Sequence, residues 1–208
     1  MKDSKTTSST LFATTAIACF AYGALALLMM HVLRPEYANH MVSDYAVGRY
    51  GWVMTTCFLA MSIGCVMLLL GLLRSGPSSA VARLGTFLLG IVSVGLVISA
   101  IFPTDVKRPV THSGYIHFIS FLVNVGSILL AAMLLSAGFR SPPRWRTYQR
   151  TAVALTLLIV LGFGLQFFTI VWRWHYALAN RFFIMAVLAW MFVTSIRLRA
   201  VTTDSARE

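Results

Sequence analysis

The chain has 208 residues, of which 58% are apolar and only 11% are charged, and its mean hydropathy is +0.79. Water-soluble domains typically have about 25% charged residues, so this composition excludes that class. The formal net charge of +11 comes from basic residues that stand singly or in pairs between apolar runs. A nucleic-acid reader needs a continuous basic face, so we expect no nucleic-acid partner.

Six apolar runs follow one another along the chain, each long enough to cross about 30 Å of hydrocarbon as a helix. They cover residues 10–33, 51–73, 84–103, 114–137, 151–172 and 181–198. Helices are required because backbone groups in lipid must be satisfied within their own segment. The sequence therefore predicts an all-α, six-helix transmembrane bundle. It forms one domain over 10–198, with short solvated tails at 1–9 and 199–208 that have no packing role.

The Lys and Arg residues divide unequally between the two sides of this bundle. Eleven of the 17 fall on the side of the termini: Lys2, Lys5, Arg74, Arg83, Arg140, Arg144, Arg146, Arg150, Arg197, Arg199 and Arg207. By the positive-inside rule, both termini are predicted to be cytoplasmic, in a multi-pass protein of the cell (inner) membrane. Lys2 and Lys5 before Ala24-Leu25-Ala26 also resemble a cleaved signal peptide, but an apolar run that continues to Leu33 favours a retained first span.

All five histidines lie on the opposite side, in or beside the connections 34–50, 104–113 and 173–180. They are His31, His40, His112, His117 and His175. Asp44 and Asp105 fall on the same side. Ionisable groups at membrane depth often mark functional sites, so this side is where we expect a site.

A polar stripe runs down the fourth span from this side. It consists of Ser113, His117, Ser120, Asn124 and Ser127, whose spacings of four and three place them on one helical face. Two interpretations stay open. The stripe is either a seam that packs two helices together, or the wall of an outward-opening polar cavity to which Gln166 also contributes.

Asp105 follows a predicted end of the third span at Phe102-Pro103-Thr104. Its carboxylate either pairs with Lys107 or Arg108 in water or points across the hairpin to His117.

Three short motifs resemble those of the prokaryotic membrane proteins classed as domain of unknown function 998. They are Ser43-Asp44 before the second span, Phe102-Pro103-Thr104-Asp105 closing the third, and Thr111 to His117 opening the fourth. The resemblance covers about residues 10–198. It implies a six-span bundle and supplies no reaction, and it leaves open whether His112 or His117 is the functional histidine.

The residues also show a more distant similarity to seven-span membrane hydrolases of the alkaline ceramidase and progestin-receptor type, which hold zinc with Ser, Asp and three His. His112, His117 and His175 would be the nitrogen ligands, so zinc is considered as a cofactor. This chain departs from that pattern because it lacks one span, and because His112 and His117 are five residues apart instead of four.

Three functions are compatible with these residues. The first is an enzyme acting on a lipid or isoprenoid-like substrate in the outer leaflet, with His117 as general base and Asp105 as the acid that orients it. Its further candidates are Ser43 and Asp44 for catalysis, and Asn124, Ser120, Gln166 and Arg173 for substrate binding. The second is a small-solute or proton-coupled transporter that follows the stripe. The third is a haem or quinone binder, or a non-catalytic partner, with His31 and His117 as the axial pair for haem.

Overall fold

A computed structural model describes residues 2–107, 109–172 and 174–207, with side chains described between 8 and 204. Six long helices account for most of it: α1 Lys2–Leu33, α2 Gly51–Ser75, α3 Ala80–Ile101, α4 His112–Gly138, α5 Pro143–Val171 and α6 Tyr176–Arg207. Two short 3₁₀ turns, Pro35–Tyr37 and Val42–Ala46, lie in the first connection. The described residues contain no β-strand.

All six helices are long and apolar enough to cross a membrane, which confirms the six predicted spans. Each helix extends beyond its apolar run at one end or both, whereas α3 and α5 end at Ile101 and Val171, slightly before the predicted ends. The fifth helix begins at Pro143, eight residues before the predicted run, and takes in Arg144 and Arg146. Proline suits a first helical position, where its missing N–H leaves no bond unmade.

The first and last helices include residues outside the apolar runs. The first helix begins at Lys2 and the last continues to Arg207. Val201 and Thr202 are buried, and Thr10 donates a hydrogen bond of 3.2 Å to the Thr202 hydroxyl. The ends of α1 and α6 therefore pack against each other instead of lying free in water.

The helices form a closed ring in chain order. Each helix contacts the next, α1 also contacts α6, and α2 touches α6 across the middle. Hydrogen bonds between polar side chains also join neighbouring helices. For example, the hydroxyls of Ser62 on α2 and Ser93 on α3 are hydrogen-bonded at 2.8 Å. The connections 34–50, 102–111 and 172–175 lie at one end of the ring, called here the loop end; the opposite end, with both termini, is called the termini end.

The 34–50 loop folds over the loop end instead of extending away from it. Its residues Val42 and Tyr45 are buried in the core. Gly48 has a φ of +81°, a conformation that glycine adopts without a steric penalty and that lets the chain turn back toward α2. This loop therefore forms a roof over the middle of the bundle.

Candidate functional site

A cavity of about 110 Å³ lies beneath the 34–50 loop, between α2, α3, α4 and α6. Eighteen residues line it, and thirteen of them are apolar, including Phe58, Leu96 and Phe183. The five polar residues are Ser43, Ser99, His117, Asn124 and Asn180. None of the lining residues is Lys, Arg, Asp or Glu. The cavity is thus an apolar chamber with a few uncharged or titratable hydrogen-bonding groups.

His117 is held in this cavity by the end of α3. Its Nδ1 lies 2.8 Å from the carbonyl oxygen of Phe102, which caps α3 and has no helical partner of its own. Because a carbonyl only accepts, Nδ1 carries the hydrogen, and Nε2 of the neutral ring is left as an acceptor. Nε2 makes no hydrogen bond within the described part of the chain.

Asn124 lies two helical turns beyond His117 on the same face of α4. Its carboxamide packs directly on Gly95 of α3, where a Cβ atom would overlap it. The carbonyl oxygen Oδ1 is buried and has no hydrogen-bond partner among the described residues. Leaving a buried acceptor unpaired costs about 1–3 kcal/mol, so a donor group that reached Oδ1 would be bound favourably.

Asn180 and Ser43 close the cavity toward the loop end. The side-chain oxygen of Asn180, on α6, accepts a hydrogen bond of 2.9 Å from the backbone N–H of Val42. This bond attaches the 34–50 loop to α6. The amide nitrogen of Asn180 makes no hydrogen bond within the described ranges, so it remains a donor beside the two acceptors of α4.

Asp44 is the carboxylate whose charge reaches His117. Burial raises the pKa of the Asp44 carboxyl, while the N–H of Met41 and the imidazoles of His40 and His117 act in the opposite direction. The Met41 nitrogen lies 3.2 Å from Oδ2 of Asp44, and Nδ1 of His40 lies 3.4 Å from the same oxygen. Asp44 is therefore held within the 34–50 loop by Met41 and His40.

Asp105 has a different role, since it fixes the start of α4. It accepts hydrogen bonds from the backbone N–H of Thr111 at 2.7 Å and from its hydroxyl at 2.9 Å. Thr111 in turn caps α4 by accepting from the N–H of Gly114. Gly114 lies so close that a Cβ there would overlap the carboxylate. The pairing of Asp105 with His117, which the sequence left open, does not occur.

The polar stripe of α4 serves as both seam and cavity wall. Ser113 donates to the carbonyl of Pro103 at 3.0 Å, and Ser120 donates to the carbonyl of Gly95 at 2.9 Å. These two serines tie α4 to α3, as the packing interpretation holds. His117 and Asn124 line the cavity, but this cavity is mostly apolar, lies beneath the 34–50 loop and is not lined by Gln166, so it differs from the outward-opening polar cavity of the other interpretation.

A family model described as a protein of unknown function, DUF998, matches residues 16–197. The chain belongs to this family. The match spans all six helices at least in part. No curated protein and no solved structure matches the chain. This DUF998 protein is therefore an integral, multi-pass membrane protein.

Of the other residues predicted for the site, Gln166, His112 and His175 are described and do not line the cavity. Gln166 of α5 is buried, and its Oε1 has no partner within the described ranges, but it does not line the cavity. Arg173 lies outside the described residues. His112 is exposed at the start of α4, and His175 is exposed next to the ring of Trp174.

The three histidines of the zinc hypothesis are consequently not brought together. Across the described part of the chain, no group of three or more His, Cys, Asp or Glu side chains is placed to hold a metal ion. His31 and His117, the pair considered for haem, also lie in different cavities. His31 lines a separate cavity of about 200 Å³ between α1 and α6, and its Nδ1 lies 3.0 Å from the carbonyl oxygen of Leu27.

Arg181 of α6 is a central residue of the loop end that was not predicted as a site residue from the sequence. Its Nε donates to Nε2 of His31 at 2.5 Å, and its terminal nitrogens donate to four further acceptors. These are the carbonyls of Tyr37, His40 and Ala177 and the hydroxyl of Tyr45. All five N–H groups of the guanidinium are thus engaged. The polar pair Asn180-Arg181 at the start of an apolar run was the feature of the sequence that could have pointed to this role.

Proposed function

We propose that this DUF998 protein binds the uncharged polar end of a lipid-like molecule in the cavity beneath the 34–50 loop. The proposal places the loop end outward, because the larger share of Lys and Arg belongs to the termini end. In the inner membrane of the cell, the cavity then lies at the level of the outer leaflet. The partner is membrane lipid, reached from the bilayer.

The hydrogen-bonding groups of the cavity indicate the class of the polar end. Nε2 of His117 and Oδ1 of Asn124 are acceptors, and the amide nitrogen of Asn180 is a donor. A hydroxyl or an amide has both a donor for the two acceptors and an acceptor for the Asn180 amide. An ionised phosphate, carboxylate or ammonium would meet no formal charge of opposite sign in the lining and would be desolvated without a partner.

The size of the cavity limits how much of the ligand enters. At about 110 Å³, it is smaller than the engineered cavity of about 150 Å³ that holds benzene. Only the polar end and a few carbons fit, so the remaining hydrocarbon must leave the cavity. An amphiphile has these two parts, a polar end that enters the cavity and a hydrocarbon chain that stays outside. A small solute that is fully enclosed has no such chain.

The observation that carries the proposal is the unpaired, buried Oδ1 of Asn124. Such an acceptor is retained at a free-energy penalty unless a ligand donates to it. Toward the termini end, the lining continues as Ile128, Val187 and Met191. This apolar floor favours binding over a transport path that runs through the bundle.

A lipid-directed hydrolase or transferase is the second candidate. The observation that favours it is the presence of the Ser43 hydroxyl and the His117 imidazole in one cavity, with Asp44 acting electrostatically on the ring. A histidine with a free Nε2 acceptor is suited to general-base catalysis. In this version, His117 abstracts the proton, Asp44 stabilises the charged ring, and Ser43 is the candidate nucleophile.

Three amphiphiles that share a twelve-carbon chain test the proposed function: dodecanol, dodecanoate and dodecylamine. We expect dodecanol alone to raise the thermal-unfolding midpoint of the protein in lipid nanodiscs. At a free concentration of 100 times Kd, the stabilisation should be about 2.7 kcal/mol. Asn124→Leu should abolish this shift because it removes the acceptor.

Gln166→Leu is the matched control, since it also removes a buried carboxamide with an unpaired oxygen but lies outside the cavity. It should keep the full dodecanol shift. Equal shifts with all three amphiphiles, or an unchanged shift in Asn124→Leu, would contradict the proposed function.

A further inference from the structure

We propose that the crevice between α1 and α6 at the loop end holds the hydrocarbon chain of the cavity ligand and is its lateral entrance from the bilayer. This inference rests on the proposed function. The crevice is the separate cavity of about 200 Å³ lined by Leu27, Leu28, His31, Val42, Arg181, Ile184 and Met185. Its occupant is the part of the amphiphile that the smaller central cavity cannot contain.

Continuity with the central cavity is the first argument. Val42 and Ile184 line both spaces, so these two side chains form the partition between them. Both are apolar, and neither is fixed through its side chain by a hydrogen bond. A change of side-chain rotamer at Ile184, which is half-buried, is a small movement compared with the separation of two helices.

The outer rim of the crevice faces lipid. Leu28 of α1 is 59% exposed and Met185 of α6 is 46% exposed, and both lie within membrane-spanning segments. A hydrocarbon chain can therefore pass from the bilayer into the crevice without crossing water.

Arg181 determines what the crevice accepts. Its five N–H groups are all used, including the bond of its Nε to His31 across the seam between α6 and α1. The guanidinium therefore has no N–H left for an anionic headgroup, and the remaining lining is apolar apart from His31. An alkyl chain matches this lining better than a polar group does.

The helix order also favours this seam. In the ring, α1 and α6 are the neighbouring pair that no loop joins, since they are the first and last helices. No covalent connection therefore closes this seam at the loop end, and the Arg181–His31 hydrogen bond spans it instead. A larger groove of about 780 Å³ lies between α3 and α4, but it shares no lining residue with the central cavity. There, Asn124 packs on Gly95 and closes the seam.

The test uses a dodecanol analogue that carries a photoreactive diazirine in the middle of its chain, with the protein in lipid nanodiscs. After irradiation, labelled peptides are mapped by mass spectrometry. We expect adducts on α1 near residues 27–31 and on α6 near 184–185. Asn124→Leu should reduce them at least fivefold because the anchor of the polar end is lost, and Gln166→Leu should leave them unchanged.

Two tryptophan substitutions, one in the crevice and one in the α3–α4 groove, provide an independent test. Met185→Trp fills the mouth of the crevice and should abolish the dodecanol-induced thermal shift. Ile119→Trp places the same ring in the α3–α4 groove, at a residue of similar exposure, and should retain the shift.

Adducts on α3 and α4 that disappear in Asn124→Leu would overturn the entrance but leave the proposed function intact. Adducts at the crevice that persist in Asn124→Leu would show that the probe labels this face from the bilayer without its polar end being bound, and would also overturn the entrance. If dodecanol fails to stabilise the unmodified protein, the proposed function and the entrance are both wrong.

Discussion

Replacing Arg181 with alanine is expected to lower the free energy of unfolding by at least about 3 kcal/mol, because hydrogen bonds from a charged donor contribute about 1.5–3 kcal/mol each. The guanidinium joins α1 through His31, the 34–50 loop through Tyr37 and His40, and its own helix through Ala177. Its removal leaves several partly buried acceptors unpaired at once. The loop that roofs the cavity should detach, and the dodecanol-induced shift should be lost with it.

Two further variants isolate the cause. Arg181→Lys keeps the charge, but a compact ammonium cannot reach acceptors in three separate segments, so an intermediate loss is expected. Arg49→Ala removes an exposed arginine from the same loop, whose guanidinium lies over the Tyr50 ring, and should change stability by less than about 1 kcal/mol. Thermal unfolding followed by circular dichroism in detergent measures all three. Equal effects of Arg181→Ala and Arg49→Ala would refute the assigned role.

Trp145→Ala is expected to produce the second large loss, about 3–5 kcal/mol, because it removes a fully packed aromatic side chain. Trp145 is 1% exposed, and its ring stacks on Phe139 with centroids 4.6 Å apart. Its Nε1 donates to the carbonyl of Ser75 at 2.9 Å, which ties the start of α5 to the end of α2. The termini end should therefore loosen.

Trp145→Phe separates packing from hydrogen bonding. It keeps an aromatic ring and loses the bond to Ser75, so a smaller loss of about 1 kcal/mol or somewhat more is expected. Trp174→Ala serves as the control, since that side chain is 61% exposed, and it should leave the unfolding midpoint nearly unchanged. The order of the three midpoints is the measurement. A Trp145→Ala midpoint equal to that of the control would contradict this role.

The six spans could be predicted because span length and apolarity are properties of the local sequence. Their true ends could not, since Arg144 and Arg146 are polar and yet extend α5 by a full turn or more. The burial of Val201 and Thr202 was missed for a related reason. Composition marks 199–208 as polar, whereas the contact of Thr202 with Thr10 depends on α1 and α6 meeting.

The candidate site was predicted in part. Helical spacing placed His117 and Asn124 on one face, and both line the cavity. Their partners depend on how α3 and α4 are aligned, which decides that Phe102 holds the imidazole and Gly95 receives the carboxamide. The hydrogen bonds that Asp105 accepts from Thr111 also depend on this alignment, so they could not be predicted from the sequence.

Asn180 was missed because its partner, Val42, is 138 residues away in the chain. No local pattern connects the start of the last span with the first loop. Arg181 was missed for the same reason, since its acceptors in the 34–50 loop lie 136–144 residues away.

The most direct measurement of the central claim is an electron cryomicroscopy map of the protein in lipid nanodiscs containing dodecanol. The account predicts continuous density whose polar end lies within hydrogen-bond distance of Nε2 of His117 and Oδ1 of Asn124. A chamber that has collapsed, with those two atoms bonded to protein groups and no density between them, would contradict it.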